Sequence, residues 1–216
     1  MPWFLLHSPA WDTLWAIASL RPTDAMVGVL MLVLLIHSGW VFASNEVRPA
    51  LLHFLALLAL LLVIRVIFTK LAKHLGWQHA SPSIQIEGAI HLSDHFPWLE
   101  HVFELKDRSS RSFPGDHASV LMIWGLFMAR FSRGWKLAAT LLVVLFFCLP
   151  RLVTGAHWLV DVAVGGVFLA LFTYAWGYCT PLAGLIAAGL ERLCQPFLPL
   201  VRRLPVIGRM SVLQAN

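Results

Sequence analysis

Apolar residues in this chain come in long runs separated by short polar links. A membrane crossing needs about 20 mostly apolar residues, and five runs approach that length. They are Ala25–Phe42, Ala50–Phe68, Ala118–Phe131, Leu137–Leu152 and Leu159–Tyr178. The third and fourth are short, so polar flanking residues are expected to extend them as helix. The pattern predicts an all-α integral membrane bundle of five transmembrane helices. The stretch Trp3–Leu20 is also apolar, but His7, Pro9 and Asp12 interrupt it, and it has neither a basic leader nor a small-residue cleavage site. It predicts an amphipathic helix lying in the outer interface, with Trp3, Trp11 and Trp15 at headgroup level. Pro181–Pro205 has the same character on the inner side. The links leave no room for a second domain. The expectation is one membrane-embedded domain over residues 1–216, with a polar outer loop at 69–117 and an inner tail at 179–216.

Composition agrees with a membrane solvent. Hydrophobic residues are 59% of the chain and charged residues 12%, with a mean hydropathy of +0.76. A water-soluble domain is nearer half apolar and a quarter charged, so soluble, disordered and fibrous classes are excluded. Charge then sets orientation, because cytoplasmic loops carry the excess of Lys and Arg. Arg130, Arg133 and Lys136 lie between the third and fourth runs without an acid, and Arg192, Arg202, Arg203 and Arg209 lie in the tail beside Glu191 alone. Both segments are therefore expected in the cytoplasm, and Thr69–His117 on the opposite side. The net charge of +5 follows from this pattern. It does not indicate nucleic acid, since no basic stripe with interleaved aromatics is present. Cys148, Cys179 and Cys194 have no metal-binding spacing and read as structural.

Candidate chemistry gathers in two segments at the outer ends of predicted helices. In Pro150-Arg-Leu-Val-Thr-Gly-Ala-His-Trp-Leu-Val-Asp161, His157 and Asp161 are four apart, which on a helix places them on one face. A carboxylate there can fix the tautomer of the ring and sharpen its other nitrogen as a nucleophile. Arg151 offers a planar fork for phosphate oxygens. The alternative is that His157 and Asp161 merely satisfy each other within a bundle. The second segment, Lys106-Asp-Arg-Ser-Ser-Arg-Ser-Phe-Pro-Gly-Asp-His117, shifts the balance. A Pro-Gly turn entering a helix exposes backbone N–H groups to an anion, which makes Gly115 and Asp116 candidates beside the phosphate. His117 can protonate a leaving oxygen, and Lys106, Arg108 and Arg111 add positive charge. A nucleophile, an acid and cations make a complete phosphoryl-transfer site that needs no metal or cofactor. A rival metal cluster would use His91, Asp94, His95 and His101, at irregular spacing.

Ser112-Phe-Pro-Gly-Asp-His117 followed by Arg151-x5-His157-x3-Asp161 resembles the second and third motifs, P-S-G-H and S-R-x5-H-x3-D, of the type 2 phosphatidic acid phosphatase superfamily. The resembling stretch runs from Lys106 to Gly166, with looser echoes at Ala80–Ser83 and Ala18–Leu32. The resemblance implies that His157 forms a phosphohistidine, that Asp161 orients it, that His117 protonates the leaving group and later activates the acceptor, and that Arg151 clamps the phosphate. Within the superfamily the chain is most similar to the lipid A phosphotransferases. That implies undecaprenyl diphosphate as donor, the 1-phosphate of lipid A as acceptor, and a site on the periplasmic side of a bacterial inner membrane. No protein partner is indicated.

The chain also departs from the family pattern. The first motif, K-x6-R-P, is absent: with Lys73 as its lysine, the arginine position holds Ala80. Gly115 stands where the second motif has Ser, and Pro150 where the third has Ser. The family usually has six spans where five are read here. These differences keep two alternatives open. One is a lipid phosphatase acting on undecaprenyl diphosphate or phosphatidylglycerol phosphate with water as acceptor. The other is a non-catalytic lipid-binding or transport protein, although transport predicts ionisable groups at mid-membrane. Arg65, near the end of the second run, is expected to snorkel outward, with a lipid-phosphate contact as the lesser alternative.

Overall fold

The computed structural model describes residues 8–203 and residue 213. Trp3 and His7 of the expected interfacial helix, and the tail beyond Arg203 with Pro205 and Arg209, lie outside them. Among the described residues there is no β-strand, only an isolated antiparallel bridge between Leu20 and Leu105. The fold is all-α, as the pattern of apolar runs requires.

Helix α1 covers Pro9–Ala18. It is started by Ser8, whose hydroxyl accepts from the Trp11 N–H at 3.2 Å, and by proline in the first turn. α2 (Arg21–Ile36), α3 (Val47–His74), α7 (Asp116–Phe131), α8 (Trp135–Val153) and α9 (Val167–Cys179) occupy the five expected positions. A π-helical turn, Asp161–Gly166, leads into α9. Among the described residues, three helical segments are long and apolar enough to cross a membrane: Val47–His74, Trp135–Val153 and Asp161–Cys179. α2 and α7 have 16 residues each, about 24 Å at 1.5 Å per residue, which is short of a hydrocarbon core of about 30 Å. α2 departs most from expectation. It begins four residues earlier than the apolar run, at Arg21, and stops at Ile36 where His37–Phe42 turns back on itself.

α7 is the central helix. Leu121, Ile123, Trp124, Phe127 and Met128 are fully enclosed by α3, α8, α9 and the π-helical turn. The Trp124 indole N–H donates to the Met31 carbonyl at 3.2 Å, tying α2 to this core. Gly166 lets α9 approach closely: a Cβ there would lie 2.9 Å from that of Ala118 on α7. Small residues of this kind set helix–helix distance where lipid supplies no hydrophobic drive.

The described part of the tail packs on the bundle. α10 (Leu182–Cys194) packs along α3, burying Ala183 and Ala187, and the half-buried Arg48 on α3 pairs with Glu191 through Nε at 3.1 Å and through Nη2. α9 and α10, separated at Thr180–Pro181, both pack against α3. Cys148 is buried, whereas Cys179 and Cys194 are exposed rather than packed.

The outer loop is folded. It holds the short helices α4 (Pro82–Gln85), α5 (Leu92–His95) and α6 (Pro97–Phe103), of which α5 and α6 join α1 around a second apolar cluster of Ala16, Leu20, Leu92, Leu99 and Leu105. The Leu20–Leu105 bridge fastens this cap to the start of α2. The Arg21 N–H donates to the Glu104 carbonyl at 3.2 Å and the Lys106 N–H to the Ser19 carbonyl at 2.9 Å. α1 is thus a packed part of the cap, with Trp11, Leu14 and Ile17 left exposed.

Candidate active site

The two motif segments meet at one end of the bundle and are laced together by residues 79–83. The Ser81 N–H donates to the Ser109 carbonyl, and the Ser109 N–H to the Ser81 hydroxyl at 2.9 Å. On the other side the Ser83 N–H donates to the Gly155 carbonyl at 3.1 Å, and the Trp158 indole to the Ala80 carbonyl at 2.9 Å. The result is a cleft of about 470 Å³. Arg151, His157, His117, Lys106, Arg108, Arg111 and Asp116 all face it. Gly115 and Asp161 stand behind its wall.

His157 is held differently from the sequence expectation. It lies in the turn before the π-helical segment, so it shares no regular helix face with Asp161. Its Nδ1 lies 2.8 Å from the Ser112 carbonyl oxygen, which can only accept, so Nδ1 carries the hydrogen. In the neutral ring the lone pair is then on Nε2, toward the cleft. The Asp161 Oδ2 is 3.6 Å from Nδ1. Asp161 is fully buried, accepts from the Trp158 N–H at 2.9 Å, and its other oxygen lies 3.3 Å from Nε2 of His79. It supports an imidazolium on His157 by charge and braces the turn that carries the ring.

Gly115 has no side chain for a close-packing reason. Its N–H donates to the Asp161 carbonyl at 3.2 Å, and a Cβ would meet that oxygen at 2.9 Å and its carbon at 3.2 Å. The expected role of this N–H as a phosphate donor is corrected: it joins the two motif segments. Gly115→Ala is therefore expected to force backbone apart, at about 1–3 kcal/mol. A drop in melting temperature together with lost turnover checks this.

Asp116, expected against the phosphate, carries negative charge and serves the frame instead. One oxygen accepts from Arg65 at 2.9 Å, the other from the His117 N–H at 2.8 Å, and Oδ1 lies 4.0 Å from His157 Nε2. Arg65 does not snorkel outward. It turns into the cleft because Asp116 offers it an ion pair there.

His117 stands at the start of α7. Its Nε2 lies 3.2 Å from the Phe147 carbonyl oxygen and its Nδ1 3.6 Å from Asp24 Oδ1. The second oxygen of Asp24 takes the Nη2 of Arg151, while Nη1 of Arg151 donates to the carbonyls of Lys106 at 3.0 Å and Ser19 at 3.4 Å. Arg151 is thus buried and locked under the Leu20–Leu105 bridge. The remaining cations differ in their engagement. Lys106 pairs with Glu104, and this hydrogen bond holds the Glu104 carboxyl below its ordinary range, helped by Arg21. Arg108 donates to the Ser93 hydroxyl at 3.0 Å and lies near Asp94 and Asp107. Among the described residues no acid pairs with Arg111.

Sequence reasoning missed Asp24 and His79 as parts of this site, and held Arg65 for it only as the lesser alternative. Asp24 had one available signal: it flanks the first run on the side where both motifs lie. No group of three or more His, Cys, Asp or Glu among the described residues is arranged to hold a metal ion, so the suggested cluster of His91, Asp94, His95 and His101 does not form.

A membrane-embedded helical bundle with a basic, two-histidine cleft at one end is the architecture of an enzyme that handles lipid phosphates. The chain belongs to the PAP2 superfamily, whose family model matches residues 50–183, and it is a lipid phosphatase or phosphotransferase. It is 30% identical over 187 residues to the lipid A 1-diphosphate synthase of Escherichia coli (strain K12), a match covering 83% of this chain and 72% of that protein. No solved structure matches it significantly.

Proposed function

We propose that this protein moves a phosphate from undecaprenyl diphosphate to the 1-phosphate of lipid A through a phosphohistidine on His157, at the periplasmic face of a bacterial inner membrane. The observation that carries the chemistry is the tautomer of His157. Its Nδ1–H is committed to the Ser112 carbonyl, which leaves the Nε2 lone pair toward a cationic cleft. The likeness to the E. coli synthase supports the choice of lipids.

In the first step His157 Nε2 forms a bond to the terminal phosphorus, and the bond from that phosphorus to the bridging oxygen breaks. The electron pair goes to the bridging oxygen, which takes a proton from His117 and departs as undecaprenyl phosphate. In the second step an oxygen of the acceptor phosphate attacks the phosphohistidine. Its proton returns to His117, and the pair of the broken N–P bond returns to Nε2. Cations stabilise the charge that builds on the transferring group. Quenched turnover should yield a base-stable, acid-labile phosphate on His157, seen by mass spectrometry. A phosphate on any other side chain, or none at all during turnover, would refute this route.

One observation favours the phosphatase reading. Arg65, Lys106, Arg108 and Arg151 already face acids, so the second anion of a transferase has chiefly Arg111 to meet it. Protein side chains supply every role, so activity is expected to persist in excess chelator. Loss with EDTA that one divalent ion restores would overturn the scheme.

Orientation is tested by labelling in a background without the native cysteines. Ser110→Cys, on the exposed rim of the cleft, should react with an impermeant maleimide from the periplasm, and Arg133→Cys only after the inner face is opened. The reverse pattern would exclude chemistry on the periplasmic side.

A further inference from the structure

Asp24 is the one acid in the cleft that touches both the buried guanidinium and the second histidine, and no motif accounts for it. It lies 127 residues from Arg151, and its two oxygens divide their work: Oδ2 takes Nη2 of Arg151 and Oδ1 faces Nδ1 of His117. Its position is fixed from both sides. Pro22 opens α2, and the Leu20–Leu105 bridge pins the start of that helix beside the Lys106 carbonyl that Arg151 also binds. Both ring nitrogens of His117 thus face oxygens, Phe147 carbonyl at Nε2 and Asp24 at Nδ1. Two acceptors around one imidazole match the doubly protonated ring, the form a general acid must have before it acts.

We propose that Asp24 is a positioning residue for phosphoryl transfer, a carboxylate that cancels the field of Arg151 at His117 and so keeps this histidine protonated and aimed into the cleft. The role as support for an acid rests on the function proposed above. The charged groups facing His117 are Asp24 from α2, Arg151 from α8 and Asp116 from its own helix, with the neutral Phe147 carbonyl from α8 and His157 across the cleft. Burial of the ring opposes a proton on His117, and of these charged groups so does Arg151. With Asp24 in place its charge is balanced. With Asp24→Asn the guanidinium stands unpaired beside the ring, and the imidazolium is the species that loses. When His117 gives its Nδ1 proton to the leaving oxygen, the neutral ring no longer needs the carboxylate. When the acceptor's proton arrives, Asp24 favours its capture.

The test reads His117 directly. Full-length protein in nanodiscs, labelled with ¹⁵N-histidine and assigned with His117→Gln, is titrated by NMR. The His117 midpoint is expected to fall by about one pH unit in Asp24→Asn, tenfold in the protonation equilibrium, and to recover in Asp24→Glu. The alkaline limb of the turnover profile should move with it, whereas a purely structural role would lower turnover evenly at every pH. Because Asp24→Asn leaves a buried cation, the pair is also measured with Arg151 removed: adding Asp24→Asn to Arg151→Gln should again lower the midpoint. Equal midpoints with and without Asp24 in both backgrounds would overturn the assignment. Absence of lipid diphosphate turnover by the wild-type protein would refute the functional reading instead, and the ring titration would still decide whether Asp24 holds the proton.

Discussion

His157→Ala is expected to stop turnover of undecaprenyl diphosphate entirely, a loss on the order of 10⁴-fold or more, because the other imidazole of the cleft, His117, has both ring nitrogens against oxygens and Lys106 is paired with Glu104. Asp161→Ala should keep a trace, falling by roughly 10²–10³-fold. The geometry explains the difference. The Ser112 carbonyl still fixes the tautomer of His157 when Asp161 is gone. What is lost is a negative charge 3.6 Å from Nδ1, which favours the ring as it becomes cationic, and the acceptor for the Trp158 N–H that braces the turn. Steady-state turnover of the two variants, with far-ultraviolet circular dichroism to show that both are folded, is the measurement. Full activity in His157→Ala would remove the nucleophile from the account. Activity in Asp161→Ala as low as in His157→Ala would mean that the carboxylate is indispensable to the chemistry.

Arg111→Ala is expected to reduce transfer to lipid A by about tenfold or more, a loss of about 1.4 kcal/mol in the acceptor step, while slow hydrolysis of undecaprenyl diphosphate changes only a few-fold. Two anionic lipids must meet at one phosphorus in a transferase, and the second needs positive charge that the first does not use. Arg151 is tied to Asp24, Lys106 to Glu104, Arg65 to Asp116, and Arg108 to Ser93 near Asp94 and Asp107. Arg111 faces the cleft without such an acid, so a second phosphate costs no existing ion pair there. Arg108→Ala should act in the same direction but more weakly, because Asp94 and Asp107 already offset its charge. Parallel assays with and without acceptor lipid separate the two rates. An equal, small loss in both would show that Arg111 attracts anions without choosing between them.

The apolar runs made the helical bundle legible, and the two motif segments marked the outer end at which chemistry collects. What could not be read was fixed by contacts distant in sequence. Asp24 reaches Arg151 across 127 residues, and Arg65 reaches Asp116 across 51. Local pattern is silent about pairs of this kind, so Arg65 read as a snorkelling end residue. The spacing of His157 and Asp161 suggested a shared helix face. The chain instead turns through Gly155, held at a φ of +73°, and opens the next helix with a π-helical turn, so the two side chains meet by tertiary folding. Gly115 read as an anion-binding turn because a Pro-Gly pair opens a helix, but its N–H is claimed by the Asp161 carbonyl. α10 read as interfacial from its amphipathic composition; that it also docks on α3 was not legible, because the ion pair of Glu191 with Arg48 that helps hold it there spans 143 residues.

The most direct test follows the phosphorus. Purified protein in vesicles is given undecaprenyl diphosphate labelled in its terminal phosphate, with and without lipid A, and the lipids are separated after a short reaction. With acceptor present the label should appear on lipid A as a 1-diphosphate and undecaprenyl phosphate should accumulate in equal amount, whereas without acceptor release of inorganic phosphate should be slow. Rapid release of labelled inorganic phosphate at the same rate with or without lipid A would contradict transfer and identify water as the acceptor.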